Sequence, residues 1–525
     1  MIDIAQIDPN KLEELDADRL RELTRALLEH RGRELAWRDA KIDKLTFELA
    51  QLKRLKFERT SEQMNAEQRA LFDEAVDGDI AALDEQLAAL QAAPLAGGKE
   101  EKKTPRRTAL PERLPRREVH HEPDNTACGC GRTMERVGED ISEKLDYQPG
   151  VFTVERHVRG KWCCSACRTL VQAPVPPAVI DKGIPAAGLL AQVVVAKHAD
   201  HLPLYRQEAI FARAGLAIPR STLGAWVGQC GVRLLPLAQA LKDELLGCQV
   251  LHADETPVAM LAPGKGKTQR AYLWAYASAR SETLKAVVYD FTPSRSGEHA
   301  RAFLGHDPQR RERDQQPWSG HLVCDDFSGY KALFALGVTE VGCMAHARRK
   351  FVELHVANKS SIAATALGLF GQLYQVERDI QVLSDSAARL EQRCERAIPI
   401  AQTLHEWLIA QRDKIPSGTA TANALDYSLN RWAALTRYLH DARLPIDNNH
   451  DEQQIRPWAM GRKNWLLAGT LAAGQRAAAI TSLIQSAKLN GHDPYAYLKD
   501  VLQRLPTQRA SNIGELMPHR WTPHA

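Results

Sequence analysis

Between residues 10 and 60, apolar side chains recur with helical spacing. Leu28, Leu35, Ile42 and Leu49 stand seven apart, and Leu45 and Leu52 each follow three places after one of them. That is the a/d seam of a short coiled coil and predicts a helix that pairs with a second copy, giving a homo-oligomer. Arg31 and Arg38 break earlier d positions, so the alternative is an amphipathic helix packed within its own chain. The pattern is helical again from 185 to 245. Within LYRQEAIFARAGLAIPRSTLGAWVGQC one helix ends near Gly215, and Ser221 or Thr222 is placed to cap a second. This outline fits a helix-turn-helix presenting Arg220 to DNA, or else two helices in an ordinary bundle.

After residue 247 the spacing changes to that of strands. CQVLHADETPVAML, QRAYLWAYAS and TLKAVVYDFT are three successive strand candidates, followed by a helix around 297 to 304. HLVCDDF is a fourth strand, SGYKALFAL a helix, and TEVGCMAHARRKF a fifth strand running into a helix. APGKGKT lacks the first glycine of a phosphate loop and reads as a hairpin turn. Residues 360 to 440 are helical throughout, and GQRAAAITSLIQSAKLNG is the last helix. Strands interleaved with helices predict an α/β layer with a mixed sheet.

Composition narrows the class. A chain of 525 residues, 44% hydrophobic, holds several domains with cores of their own. No apolar run reaches the roughly 18 residues of a membrane helix and no export leader is visible, so a soluble cytoplasmic protein without a membrane partner is expected. The net charge of +4 excludes little, but its distribution is uneven. APLAGGKEEKKTPRRTALPERLPRRE, at 93 to 118, carries four prolines and eight Lys or Arg. It predicts a flexible basic linker, either touching DNA phosphates through charge or simply solvated.

Five of the ten cysteines crowd together at Cys128, Cys130, Cys163, Cys164 and Cys167. Cys164-x-x-Cys167 suits one tetrahedral zinc, and Cys128-x-Cys130 is a tighter second pair. His120, His121 or Cys163 are substitutes if one thiolate points away. With four protein ligands such a Zn²⁺ would be structural; the alternative is a group of buried thiols.

The carboxylates suggest chemistry. Asp254 lies mid-strand among apolar residues, where an aspartate is costly unless a cation neutralises it. Asp325 ends the fourth strand, and Glu452 follows on a helix within LPIDNNHDEQQIRPWAMGRKNW. Three acids brought to one sheet edge can hold two Mg²⁺, or Mn²⁺, for phosphoryl transfer. Arg456 shares a helical face with Glu452, at i to i+4, while Asp447, Asn448 and Asn449 shape the entry turn and cap the helix. Arg462 and Lys463 follow, and Arg348, Arg349 and Lys350 extend the helix that begins after Cys343. All six cations are candidates for DNA phosphates or for structural pairing with acids. Glu255 is expected to point outward or to stand behind Asp254.

LHADETPV, DDFSGY, GCMAHARRKF, IDNN followed by E-x-x-IRP, and GRKNWLLAG occur in this order, after LKRLKFERTSEQM and KHADHLPLYRQE. In this series the chain resembles transposases of the insertion-sequence sixty-six family, of the TnpC-type catalytic subunit, over nearly its whole length. The resemblance implies an RNase H-like DDE transposase domain with a helical insertion. Its acids would be Asp254, Asp325 and Glu452, and His346 would order the active site or meet DNA. Partners would be transposon ends, target DNA and accessory proteins of the same element, in the bacterial nucleoid. Asp326, where relatives carry a small residue, and the Cys-x-Cys spacing depart from the family pattern. Rival readings are an RNase H-like nuclease that cuts without joining, and a DNA-binding regulator.

The expected plan is therefore multidomain, α and α/β. A coiled-coil region at 1–92 and the basic linker at 93–119 precede a zinc-binding segment at 120–180 and a helical DNA-binding region at 181–246. The catalytic core spans 247–359 and 441–505, split by an all-helical insertion at 360–440, and 506–525 form a tail.

Overall fold

The computed structural model describes residues 17–57, 66–91 and 110–523, apart from 113, 149, 181–182, 263–266, 308–315 and 466–467. The start of the coiled-coil region and the basic run up to residue 109 lie outside the described residues, as does the middle of the PGKGKT turn.

The first helix, Ala17–Phe57, folds back on a second, Ala66–Gln91. Leu45, Leu49 and Leu52 of the seam are buried against Val76, Leu83 and Leu87. The later half of the heptad pattern is thus satisfied within the chain. Its earlier half is bare: Leu28 is 67% exposed and Trp37 61%.

The second helix lies across the long helix Arg220–Leu245. A Cβ on Gly228 would stand 2.3 Å from the Gly78 carbonyl oxygen, so only glycine permits this approach. Nearby, Asp79 and Arg476 form a buried ion pair between the N-terminal hairpin and the helix Leu471–Leu489.

The helix-turn-helix outline needs correction. Leu204–Arg213 is followed by a turn containing Gly215 at φ +83, but the second helix begins at Arg220 after Pro219, and neither Ser221 nor Thr222 caps it. Proline preorganises such a start, and its missing N–H is no loss there. Leu223, Trp226, Leu234, Leu237, Leu241 and Leu245 are all buried in the main core. That helix is a central strut, and among its residues only the first turn and a narrow strip reach solvent.

Residues 116 to 172 form a small sheet ordered β1-β3-β2, with β4 on β3: β1 Arg116–His121, β2 Glu135–Gln148, β3 Val151–Cys163, β4 Leu170–Gln172. The β2–β3 hairpin is long and antiparallel, with a register shift between Arg136 and Gly138. It returns the end of β3 to the start of β2, bringing the two cysteine segments together.

The larger sheet holds β5 Val250–Ala262, β6 Lys267–Ser278, β7 Val287–Thr292, β8 His321–Cys324 and β9 Thr339–Gly342, ordered β7-β6-β5-β8-β9. The first three strands pair antiparallel; β8 and β9 are parallel to β5 and to each other. Leu471–Leu489 covers the β7 edge. The backbone N–H of Tyr289 donates to Ser482 Oγ at 2.8 Å, and that of Val287 to Ser486 Oγ at 3.0 Å. Serines on the covering helix thereby occupy an edge that would otherwise offer free donors.

Helices from Ser361 to His440 form their own core around Phe370, Leu404 and Leu425, continuous with Phe351 and Val341 of the sheet layer. At the C-terminus, Leu516, Met517 and Trp521 are buried in the main core, so this segment is docked rather than a loose tail. Among the described residues no helix is long and apolar enough to cross a membrane.

Candidate active site and metal centre

The register of the parallel pair places two of the acids. His252 on β5 is opposite Val323 on β8, so Asp254 and Asp325 each lie two residues beyond the same pair and on the same face. Asp325 follows the last residue of β8, where the two strands separate. Its Oδ1 accepts the Phe327 N–H at 2.9 Å, and its carbonyl accepts from Arg431 Nη2 at 3.1 Å. Asp326 turns the other way, to Arg431 at 3.5 Å and Lys331 at 3.9 Å.

The third acid arrives on the helix Asn449–Trp465, which is pinned to β5 by the residue before it. Asn448 is fully buried. Its Oδ1 meets His252 Nδ1 at 2.7 Å, its Nδ2 donates to the Ala253 carbonyl at 2.9 Å, and its backbone N–H donates to Cys343 Sγ at 3.2 Å. The side chain therefore bridges to the sheet and does not cap its own helix. Asp447 shapes the turn, accepting from Asn449 N at 3.1 Å and from the Tyr374 hydroxyl at 2.9 Å. Asp451, Ile455 and Trp458 share the inner stripe of the helix, and Glu452 sits at its flank.

Electrostatics bind these groups into one centre. Burial first, then the neighbouring Glu255 carboxylate, then Asp325 and Glu452 push Asp254 up to about 7. Asp451 is fully buried with neither carboxylate oxygen hydrogen-bonded, and burial and then Asp254 drive it well above the usual carboxylate range. Glu255, expected to point outward or to stand behind Asp254, has a buried side chain, held by Arg295 and by the Tyr330 hydroxyl at 3.0 Å. It is raised by burial and Asp325, against the pull of Arg295.

Glu452 faces two side chains from the helix Met344–Asn358: the Arg349 guanidinium lies 3.5 Å and His346 Nε2 3.8 Å from its Oε1. His346 is lowered by burial and then by Arg349, which the carboxylates Asp325 and Glu452 only partly oppose.

The other candidate cations divide. Arg348 is exposed, and Lys350 lies over the Tyr427 ring at 5.8 Å. Arg456 is exposed and has no ion pair or hydrogen bond among the described residues, so it does not simply neutralise Glu452. Arg462 turns back to β5, donating to Thr256 Oγ1 at 3.0 Å and the Pro257 carbonyl at 2.8 Å. Lys463 is on the helix, its side chain outside the described residues. Arg220 begins its helix with its backbone N–H on Glu208, at 3.1 Å.

Sequence reasoning missed His252, the bridging role of Asn448, and the burial of Asp451. The last had a signal: Asp451 stands four and seven residues before Ile455 and Trp458, on one apolar stripe.

The second centre is the cysteine quartet. The Sγ atoms of Cys128, Cys130, Cys164 and Cys167 all lie within 4.8 Å of one another, despite the short Cys-x-Cys spacing. Gly131 and Arg168, each following the second cysteine of a pair, take left-handed conformations at φ +84 and +58. They turn the chain so that both pairs face inward. The Cys128 and Cys167 sulfurs share a hydrogen bond at 2.9 Å, which raises Cys128 to about 12 and lowers Cys167 to about 6. Thiols that share protons in this way can all turn to one tetrahedral Zn²⁺. Cys163 instead reaches the Cys164 carbonyl, and His121 stacks on His157, so neither joins the quartet.

The described residues thus form a multidomain protein: a cysteine-quartet module, a helical body and a mixed sheet with gathered acids. Four family models match in chain order. They are "Transposase C of IS166 homeodomain" at 44–119, "zinc-finger binding domain of transposase IS66" at 125–168, "Transposase IS66 family" at 182–476 and "IS66 C-terminal element" at 482–519. The chain belongs to the IS66 transposase family. The zinc-finger match and the cysteine quartet together point to a structural zinc.

Similar proteins from Sinorhizobium fredii (strain NBRC 101917 / NGR234) include the uncharacterized protein y4qI, 35% identical over 89% of this chain and 86% of its own length. The uncharacterized protein y4jD is 34% identical over 78% and 81%, and y4hP 30% identical over 92% and 88%.

Proposed function

We infer that this protein is the catalytic transposase of its insertion sequence, binding the element's ends, cleaving there and joining 3′-hydroxyl ends to target DNA. The observation that carries the reading is the gathering of three acids from distant segments, Asp254, Asp325 and Glu452, where β5 and β8 part, close enough that Asp325 and Glu452 both act on Asp254. The sheet order, three antiparallel strands followed by two parallel ones, supports an RNase H-like catalytic domain interrupted by the helices of 360–440.

The donor set fits hard divalent cations: it is all oxygen, and Glu452 Oε1 is buried without a hydrogen bond. Asp254, Asp325 and Glu452 would hold two Mg²⁺, or Mn²⁺. When bound, these ions supply the positive charge that in-line transfer at a phosphodiester requires.

The chain's own residues do the rest. Asn448 fixes the helix of Glu452 against the strand of Asp254. Arg431 fixes the end of β8 through the Asp325 carbonyl while pairing with Glu340. Arg349 and His346 orient Glu452, and the free guanidinium of Arg456 is available to a DNA phosphate one helical turn on.

A strand-transfer assay with the element's own ends and Mg²⁺ tests this. Asp254→Ala, Asp325→Ala and Glu452→Ala should each abolish cleavage and joining while end binding persists. Glu452→Asp should cripple joining, because the shorter carboxylate withdraws from its ligand position. Cleavage without joining by the parent protein would indicate a nuclease instead.

A further inference from the structure

A cleft of about 610 Å³ opens beside the acidic centre, between Met344–Asn358 and the first helix of the insertion, Ser361–Ile380. Arg348 and Arg349 line one wall, Arg378 the other, and Asn449 lies at its inner end. Three guanidinium groups thus border one solvent-filled space. Their counter-charges are largely engaged elsewhere. Asp379, beside Arg378, is ion-paired with Arg396 at 2.5 Å and hydrogen-bonded by Gln375 at 2.7 Å. Asp447, behind the cleft, is covered by the Tyr374 hydroxyl and the Asn449 amide. Arg378 donates only to Gln375, a neutral group on its own helix, and Arg348 has no ion pair or hydrogen bond among the described residues. Arg349 links the cleft to the acids through its 3.5 Å contact with Glu452.

Two guanidinium groups clear of carboxylates, Arg348 and Arg378, facing each other along a channel that a third, Arg349, continues toward the acids, suit a ligand with repeated anionic oxygens. We propose that the cleft binds the sugar–phosphate backbone of a DNA strand running to or from the acidic centre, with Arg378 of the helical insertion opposite Arg348. This rests on the transposase reading above and gives the insertion a direct role: it supplies one wall of the strand's track. The proposed contact is to backbone oxygens and is therefore independent of sequence.

The test is binding of a labelled random-sequence duplex with a single-stranded 3′ extension, measured in Ca²⁺ over a range of salt concentrations. Arg378→Ala should weaken binding several-fold and make the slope of log affinity against log salt shallower by about one phosphate contact. Arg378→Lys should restore the slope, and thermal melting should not change, since Arg378 is exposed and bonded only within its own helix. Unchanged affinity and slope in Arg378→Ala would overturn the inference, even if the parent cleaves and joins DNA. If Arg378→Ala loses binding but the parent neither cleaves nor joins the element's ends, the cleft stands and the catalytic reading falls.

Discussion

Asn448 and His252 meet at 2.7 Å inside the protein, and this contact fixes the distance between the helix of one acid and the strand of another. Burial drives His252 down to about 3, so its ring is neutral at physiological pH and Nδ1–H donates to the Asn448 oxygen. Replacing Asn448 with Ala would strand this donor and the Ala253 carbonyl, at about 1–3 kcal/mol for each buried group. Asn448→Ala should melt several degrees below the parent and lose strand transfer more than end binding. Asn449→Ala, exposed and bonded only to Asp447, should melt almost normally; equal melting of both variants would refute the bridge.

Asp325 and Asp326 are adjacent but point to different partners. Asp325→Ala is expected to remove activity, whereas Asp326→Ala breaks only the outer pairs with Arg431 and Lys331 and should retain most of it. The reverse outcome in a strand-transfer assay would reassign the second acid.

Asp254 is raised to about 7, so near neutral pH much of it carries a proton that a cation must displace. Divalent-cation affinity should therefore rise with pH up to and through about 7, then level off. Titration calorimetry in two buffers of different ionisation enthalpy would show proton release on binding below pH 7. Equal heats in both buffers at pH 6.5 would contradict this protonation state.

Asp451 has the opposite consequence for stability. Its folded carboxyl titrates well above the unfolded value, so the folded state binds the extra proton. Stability falls as pH climbs from the unfolded value of roughly 3.9 toward the folded one. In chelator, Asp451→Asn should therefore gain in melting temperature over the parent progressively from pH 5 to pH 8. A gap that does not vary with pH would show that the carboxyl finds a partner.

For the cysteine quartet, elemental analysis should find one Zn²⁺ per chain. Chelation should unfold the β1–β4 sheet, and Cys167→Ser should mimic it. Trp162, which donates to Glu122 next to the quartet, gives a fluorescence signal for that loss. Protein isolated without zinc yet showing a full-strength sheet would count against a structural metal.

The five strands of the larger sheet were legible because each apolar run is short, rich in β-branched or aromatic residues and bounded by turn formers. Asp254 was legible as a carboxylate inside such a run, and Asp325 as one at the end of another. What the sequence hid was partnership across long separations. Nothing local reveals that Asn448 reaches His252, that Arg431 supports the end of β8, or that Leu45 and Leu49 find Val76 and Leu83 in the same chain. The heptad marked an apolar seam, and the later half of that seam is covered by the following helix of the same chain. The cap of the second helix was misplaced for a related reason: turn chemistry marks where helices end, but only packing decides which of their faces are buried.

The Asp79–Arg476 pair and the Gly78–Gly228 crossing have a practical corollary. The N-terminal hairpin is built into the wall that backs the larger sheet, although a long basic stretch and the cysteine module separate them along the chain. A fragment beginning near residue 182 would leave Arg476 as a buried cation without its anion and expose a groove shaped to receive another backbone. Any force that reorients the hairpin, such as pairing of its bare leucines with another copy, would act through that wall on the β7 edge of the larger sheet. The protein is thus less a string of separable modules than a closed clasp, whose two halves are fastened far from where the chain reads as hinged.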